Sequence, residues 1–154
     1  ETPGNSQLDL FANATPQTTG EKMKPTSLIV MPASLVHNWF NEIKKFTPQL
    51  RAFKHTGNNG TKNLSNFKRY DVVLTTYGVI RNEFESLKHF PFHYLILDES
   101  QVIKNPDSKI YKSIIQLQAK HRLVLTGTPI ENSLTDLWSQ MNFVNKGLLG
   151  NYNF

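Results

Sequence analysis

Two adjacent carboxylates, Asp98 and Glu99, close the apolar run "YLILD", and a polar stretch, "SQVIKN", follows them. Like charges set side by side repel unless something of opposite charge makes use of them. A hard cation such as Mg²⁺ needs only one or two carboxylates and keeps most of its waters, a role open to Asp98. Glu99, aimed at a water, could then serve as general base in the hydrolysis of a phosphoanhydride. The same pair could instead cap the loop that follows or pair with Lys104, so the dipeptide alone leaves both readings open.

Other apolar runs end in the same way. "IVMPAS", "VLTTYG", "LILDES" and "VLTGTP" each pass from apolar to small or hydroxylated residues. If these runs are parallel strands, their carboxyl ends line one edge of a sheet, where ligands of open α/β sheets bind. Thr75, Thr76, Thr126, Gly127 and Thr128 then share a rim with Asp98 and Glu99.

The elements that would place them there can be read from residue 27 onward. "SLIVM", "LRAFKH", "DVVLTT", "YLILD" and "RLVLT" have the composition of strands. Between them lie helical patterns. In "ASLVHNWFNEIKKF" Ser34 is placed to cap a helix facing inward through Leu35, Trp39, Ile43 and Phe46, with Thr47-Pro48 as its stop. "TKNLSNFKRY" is a short helix, and "VIRNEFESLKHF" carries Val79, Ile80, Phe84 and Leu87 on one face. "SKIYKSIIQLQ" does so through Ile110, Ile114 and Leu117, and "SLTDLWSQMNFV" through Leu134, Leu137, Trp138 and Met141. Buried strands separated by helices predict an α/β fold of three layers, a mostly parallel sheet with helices on both faces. Residues 1–26, rich in Thr, Pro, Asn, Gln and Gly, read as a flexible linker or loop, and residues 27–154 as the folded domain.

Composition narrows the partners. The 154 residues carry a net charge of +5, and between positions 21 and 70 nine lysines and arginines face only Glu21 and Glu42. Such a field attracts a polyanion, nucleic acid first, although a solvated basic surface gives the same count. There is no cysteine, hence no disulfide or thiolate metal site, and the five histidines lack ligand spacing. No apolar run approaches the roughly 20 residues of a membrane span, so the expectation is a soluble, intracellular protein with no membrane partner.

Five blocks carry a resemblance: "SLIVMPASLVHNWFNEIKKF", "DVVLTTYG", "LILDESQVIKN", "RLVLTGTPIEN" and "LTDLWSQMNF". In this order and spacing, over about residues 27 to 150, the chain resembles the SWI/SNF-type family of superfamily 2 helicase-like, DNA-dependent ATPases. The resemblance implies that residues 27–154 form part of a first RecA-like lobe with ATP and Mg²⁺ as cofactors. It makes Asp98 and Glu99 the Mg²⁺-ATP and water-activating carboxylates of a DExx box, with Asp98 holding the metal through water and Gln101 beside the nucleotide. It makes Thr126, Gly127 and Thr128 the motif that couples ATP state to DNA binding. Pro32, Ser34, Thr75, Thr76, Lys104 and Asn105 match segments that in the family follow the backbone of double-stranded DNA. The implied partners are double-stranded DNA and a second RecA-like lobe of the same parent chain, and the implied location is intracellular, on DNA, in cytoplasm and nucleoid or in a nucleus. Ser100 stands where the family usually has Ala or Gly, and Gln101 is a variant of His.

The family's phosphate loop, G-x-x-x-x-G-K-[ST], belongs before "SLIVMP" and does not occur in these residues; "GNNGTKN", from Gly57, has the wrong spacing. With Glu as first residue, the expectation is therefore the larger part of a first lobe from a longer DNA-translocating enzyme, inactive alone. Two rivals are a non-catalytic α/β interaction module that kept the fold and lost the ATP site, and a small Mg²⁺-dependent phosphohydrolase, which lacks a nucleophile or second ligand cluster beside Asp98 and Glu99. In the family the strand entering the phosphate loop lies beside the one matching "RLVLT". Its absence predicts an open edge at Arg122 to Thr126, with self-association through that edge or cover by "LDLF" at 8 to 11.

Overall fold

The computed structural model describes residues 25–57, 64–128 and 134–147. Five strands, β1 (Ser27–Met31), β2 (Ala52–His55), β3 (Val72–Thr76), β4 (Phe92–Asp98) and β5 (Ala119–Leu125), form one sheet in the order β2-β3-β1-β4-β5. Every pairing is parallel. The helices are α1 (Val36–Phe46), α2 (Tyr77–Leu87), α3 (Lys109–Ile114) and α4 (Leu134–Val144).

The strand sequences explain the layering. Side chains of a strand alternate between faces, so a run that is apolar at every position must be covered on both. In β1, Leu28 and Val30 join the core beneath α2, α3 and α4, where Ile80, Leu87, Tyr111, Ile114 and Phe143 are buried. Ile29 and Met31 point the other way, into a smaller core with Val36, Trp39, Phe40 and Ile43 of α1. The expected three-layer α/β arrangement is present. Each fully buried Leu, Ile or Phe contributes about 1.5–3 kcal/mol, which makes the larger cluster the main source of stability.

Several expectations need correction. Ser34 does not cap α1. The chain enters through a tight 3₁₀ turn, Ala33–Leu35, in which the Leu35 N–H reaches the Pro32 carbonyl at 3.0 Å, and no side chain caps the helix. Pro32, with φ −57° and ψ 145°, supplies that start by its ring geometry. Phe46, placed on the inward face of α1, is 67% exposed, and Val36 is buried instead. In α4, Leu134 is 70% exposed, while Asp136, Trp138, Ser139, Gln140 and Phe143 are buried. Polar residues hold that inward face because they are hydrogen-bonded there, as the site geometry shows. The segment at 61–70 contains a 3₁₀ helix, Leu64–Arg69, within its described part. Thr26, counted with the linker, belongs to the fold: it is buried and donates to the carbonyls of Phe67 and Tyr70. "LDLF" lies outside the described residues.

At the far side of the sheet β5 is the last strand of the described ladder. Arg122 turns toward α3 and α4, donating to the carbonyls of Leu117 (2.7 Å), Ile115 and Phe143. By alternation Leu123 lies on the other face, 45% exposed, where the rings of Tyr94 and His121 also meet, 4.8 Å between centroids. Among the described helices none is long and apolar enough to cross a membrane.

Candidate functional site

The strand ends meet at one rim. In β4, Leu95 and Leu97 face the larger core, so by alternation Ile96 and Asp98 face the α1 side. There Asp98 meets Trp39, whose indole Nε1 donates to Oδ2 at 2.8 Å. The other carboxylate oxygen, Oδ1, accepts from the backbone N–H of Glu99 at 2.8 Å. The Asp98 backbone carbonyl accepts from the Tyr77 hydroxyl at 2.7 Å. Burial pushes the Tyr77 phenol well above its ordinary range, and the charges of Asp98 and Glu99 push it further, so Tyr77 stays a protonated donor.

Glu99 breaks the strand. Its φ of 52° and ψ of 52° put it in the left-handed region, the sole non-glycine residue there among those described. For an L residue with a side chain this costs about 1–2 kcal/mol. The turn swings the carboxylate out of line with the strand and starts the 3₁₀ segment Ser100–Ile103. Its Oε2 accepts from Gln101 Nε2, and Gln101 Oε1 accepts from the Thr126 hydroxyl at 2.9 Å. Thr126 Oγ1 in turn accepts from the Thr128 N–H at 3.1 Å. A continuous hydrogen-bond chain thus runs from the end of β4 to the residues after β5.

Helix α4 braces this turn from behind. Ser100 is buried and its hydroxyl donates to Gln140 Oε1, while Ser139 donates to the carbonyl of Lys104 at 2.8 Å. These bonds account for Ser139 and Gln140 on the inward face of α4, since buried polar groups need partners.

The other residues expected at the rim are placed unevenly. Ser34 is exposed and Pro32 half-buried at the start of the turn into α1. Thr76 is half-buried and caps α2, its Oγ1 accepting from the Val79 N–H at 3.2 Å. Thr75 is a correction: it is fully buried, and its hydroxyl donates to the His55 carbonyl at 2.8 Å, so its side chain is not on the surface. Lys104 is half-buried and Asn105 exposed, with Asn105 Oδ1 accepting from Asp107 N at 2.9 Å. Gly127 and Thr128 are exposed. Tyr77, Ser139 and Gln140 join the site without a sequence signal, and Trp39, expected only as a core residue of the first helix, joins it too. Trp39 carries the one polar atom on the apolar face of α1 and is the legible hint, because an indole N–H drawn out of water seeks an acceptor.

The donor set fits a hydrated Mg²⁺. Each Asp98 oxygen accepts one N–H bond and keeps lone-pair capacity, which suits a metal held through its waters. Among the described residues no three His, Asp or Glu side chains group as a metal cage, so the ion would have to arrive with phosphate oxygens as further ligands.

Comparison with known proteins bears on this arrangement. The family model described as the SNF2-related domain matches residues 7–154. TATA-binding protein-associated factor mot1 of Schizosaccharomyces pombe is 39% identical over 126 residues, which are 80% of this chain and 6% of that protein. The putative ATP-dependent helicase/translocase YwqA of Bacillus subtilis is 39% identical over 132 residues, 84% of this chain and 14% of its own length. The SWI2/SNF2 ATPase core of Sulfolobus solfataricus in complex with double-stranded DNA superposes with a TM-score of 0.75 at 42% identity, over 86% of this chain and 27% of that one. The chain therefore spans a small part of each relative.

Proposed function

The chain belongs to the SNF2-related domain family, and from that premise we propose that it works as the nucleotide-facing and DNA-facing part of a first RecA-like lobe in an ATP-driven translocase on double-stranded DNA. The observation that carries this reading is the hydrogen-bond chain Glu99, Gln101, Thr126, Thr128, which joins the carboxylate turn after β4 to the residues after β5. A residue pair that responds to nucleotide is thereby tied to a segment at the carboxyl end of the neighbouring strand.

The roles follow from the geometry. When bound, Mg²⁺ supplies charge neutralisation for the phosphates of ATP. Asp98, its carboxylate pinned by two N–H donors, would hold that ion through water. Glu99, turned out of the strand and held by Gln101, takes a proton from the attacking water. The phosphate loop that would cradle the triphosphate is not contained in these 154 residues, and neither are the arginines of a second lobe, so this chain alone turns over no ATP. DNA is gripped by its phosphates, through the rim near Pro32, Ser34, Thr76, Lys104 and Asn105 and the positive field of positions 21 to 70, with little sequence preference.

The test uses the full-length protein. DNA-stimulated ATP hydrolysis is expected, with Glu99→Gln retaining nucleotide binding and losing turnover, and Asp98→Asn weakening Mg²⁺-dependent nucleotide binding. Unchanged turnover in Glu99→Gln removes the general base. DNA-stimulated turnover by the 154-residue chain alone removes the division of labour, and a full-length protein that binds partners without hydrolysing ATP favours the interaction module.

A further inference from the structure

Trp39 sits one turn into α1, directly after the 3₁₀ turn that carries Pro32 and Ser34 on the rim. Its neighbours on the helix, Phe40 and Ile43, fill the smaller core as hydrocarbons, and a hydrocarbon at position 39 would fill it equally well. The indole adds a single polar atom, and that atom is spent on Asp98 Oδ2, 59 positions away in the chain. With Glu99 N on the other oxygen, the carboxylate is held at both ends. Two donors from separate elements fix its rotamer, whereas the Glu99 N–H alone would let the group swing about Cα–Cβ.

We propose that Trp39 is a positioning residue for Asp98, so that the rim turn Pro32 to Leu35 and the metal-facing carboxylate move as one body through α1; the proposal rests on the assignment of Asp98 above. A displacement of that turn, as when DNA phosphates press on it, is handed to Oδ2 through a rigid ring. The contact makes DNA engagement and metal orientation parts of a single mechanical step.

The contact itself is read by NMR on the 154-residue chain, without nucleotide. The Trp39 indole proton should exchange slowly, keep its protection in Asp98→Asn, whose carbonyl still accepts, and exchange about tenfold faster in Asp98→Leu, the equivalent of one lost hydrogen bond. The consequence is read in the full-length protein. Trp39→Phe, which keeps the packing and removes the donor, should raise the half-saturating Mg²⁺ concentration for hydrolysis about tenfold, as loss of an outer partner of a metal ligand does. Turnover at saturating Mg²⁺ should recover. Ile43→Ala, a packing loss on the same helix face, should leave that midpoint in place. A fast-exchanging indole proton in the parent chain overturns the proposal, as does an equal shift of the Mg²⁺ midpoint by Trp39→Phe and Ile43→Ala. A full-length protein that hydrolyses no ATP sinks the proposed function instead, and the exchange measurement then decides the Trp39 contact by itself.

Discussion

The Thr126 hydroxyl donates to the side-chain carbonyl of Gln101 across 2.9 Å, and the amide end of the same side chain donates to Glu99. One glutamine therefore holds a threonine after β5 and a glutamate after β4 at a fixed separation. Each end of the amide has one job, and the two can be removed separately.

Gln101→Glu keeps an acceptor for Thr126 and replaces the donor to Glu99 with a second negative charge. Turnover by the full-length protein should fall about tenfold to a hundredfold, the rate equivalent of a charge-assisted hydrogen bond. Thr126→Val should spare basal turnover and lose mainly its stimulation by DNA. Steady-state hydrolysis with and without duplex separates the two, and identical losses in both variants would mean that Gln101 does not transmit anything.

Glu99 occupies a backbone region that suits glycine. Glu99→Gly should stabilise the chain by about 1 kcal/mol through relief of that strain, while turnover in the full-length protein is lost. Urea unfolding of the 154-residue chain gives the first quantity. A destabilised glycine variant would show that the Gln101 contact outweighs the backbone cost.

Thr75 and Ser34 should behave oppositely. Thr75→Val leaves the buried His55 carbonyl without its donor and should cost about 1–3 kcal/mol of stability, with no change in DNA affinity beyond what unfolding explains. Ser34→Ala, on an exposed turn, should stay within about 0.5 kcal/mol and weaken DNA binding alone. Thermal melts beside DNA titrations at fixed salt settle both.

Alkaline pH offers a probe of Tyr77. Its phenol ionises far less readily in the fold than in the unfolded chain, where the ordinary value is 10.0. The stability this represents is fully present below pH 10 and declines as pH rises past 10, because the unfolded chain sheds the proton first. Tyr77→Phe should flatten that decline while lowering stability near neutrality by about 1 kcal/mol, the worth of the bond to the Asp98 carbonyl. Denaturant midpoints on either side of pH 10 measure the difference, and parallel curves for both proteins would exclude Tyr77 as the source.

The strands, the helices between them and the carboxylate turn were legible because each is written locally, in apolar runs and helical periods. Asp98 could be placed at a strand end from "YLILD" alone. What escaped depends on distant parts of the chain. Trp39 meets Asp98 only because β1 and β4 are neighbours, and nothing within either segment states that adjacency. The inward face of α4 was misread because Ser139 and Gln140 look like solvent-facing residues until their partners, Lys104 and Ser100, are brought beneath them. Thr75 has the composition of a rim residue, but β3 is covered on both faces up to that position, and the Thr75 hydroxyl is taken up by the His55 carbonyl.

The order of the strands has a consequence for biosynthesis. Among the described strands β1 is the first to be made and the middle one in the sheet, and it pairs with nothing local: Ser27 waits for Val72, and Leu28 for Leu95. At about 5–20 residues per second on a ribosome, its two ladder edges stay open for several seconds before β3 and then β4 arrive. For that interval "SLIVM" is an apolar strand without either of its described ladder partners, the kind of segment that chaperones hold and that aggregation exploits. The centre of the sheet thus stays open until β4 is made, and translation speed between Met31 and Asp98 becomes part of what determines yield.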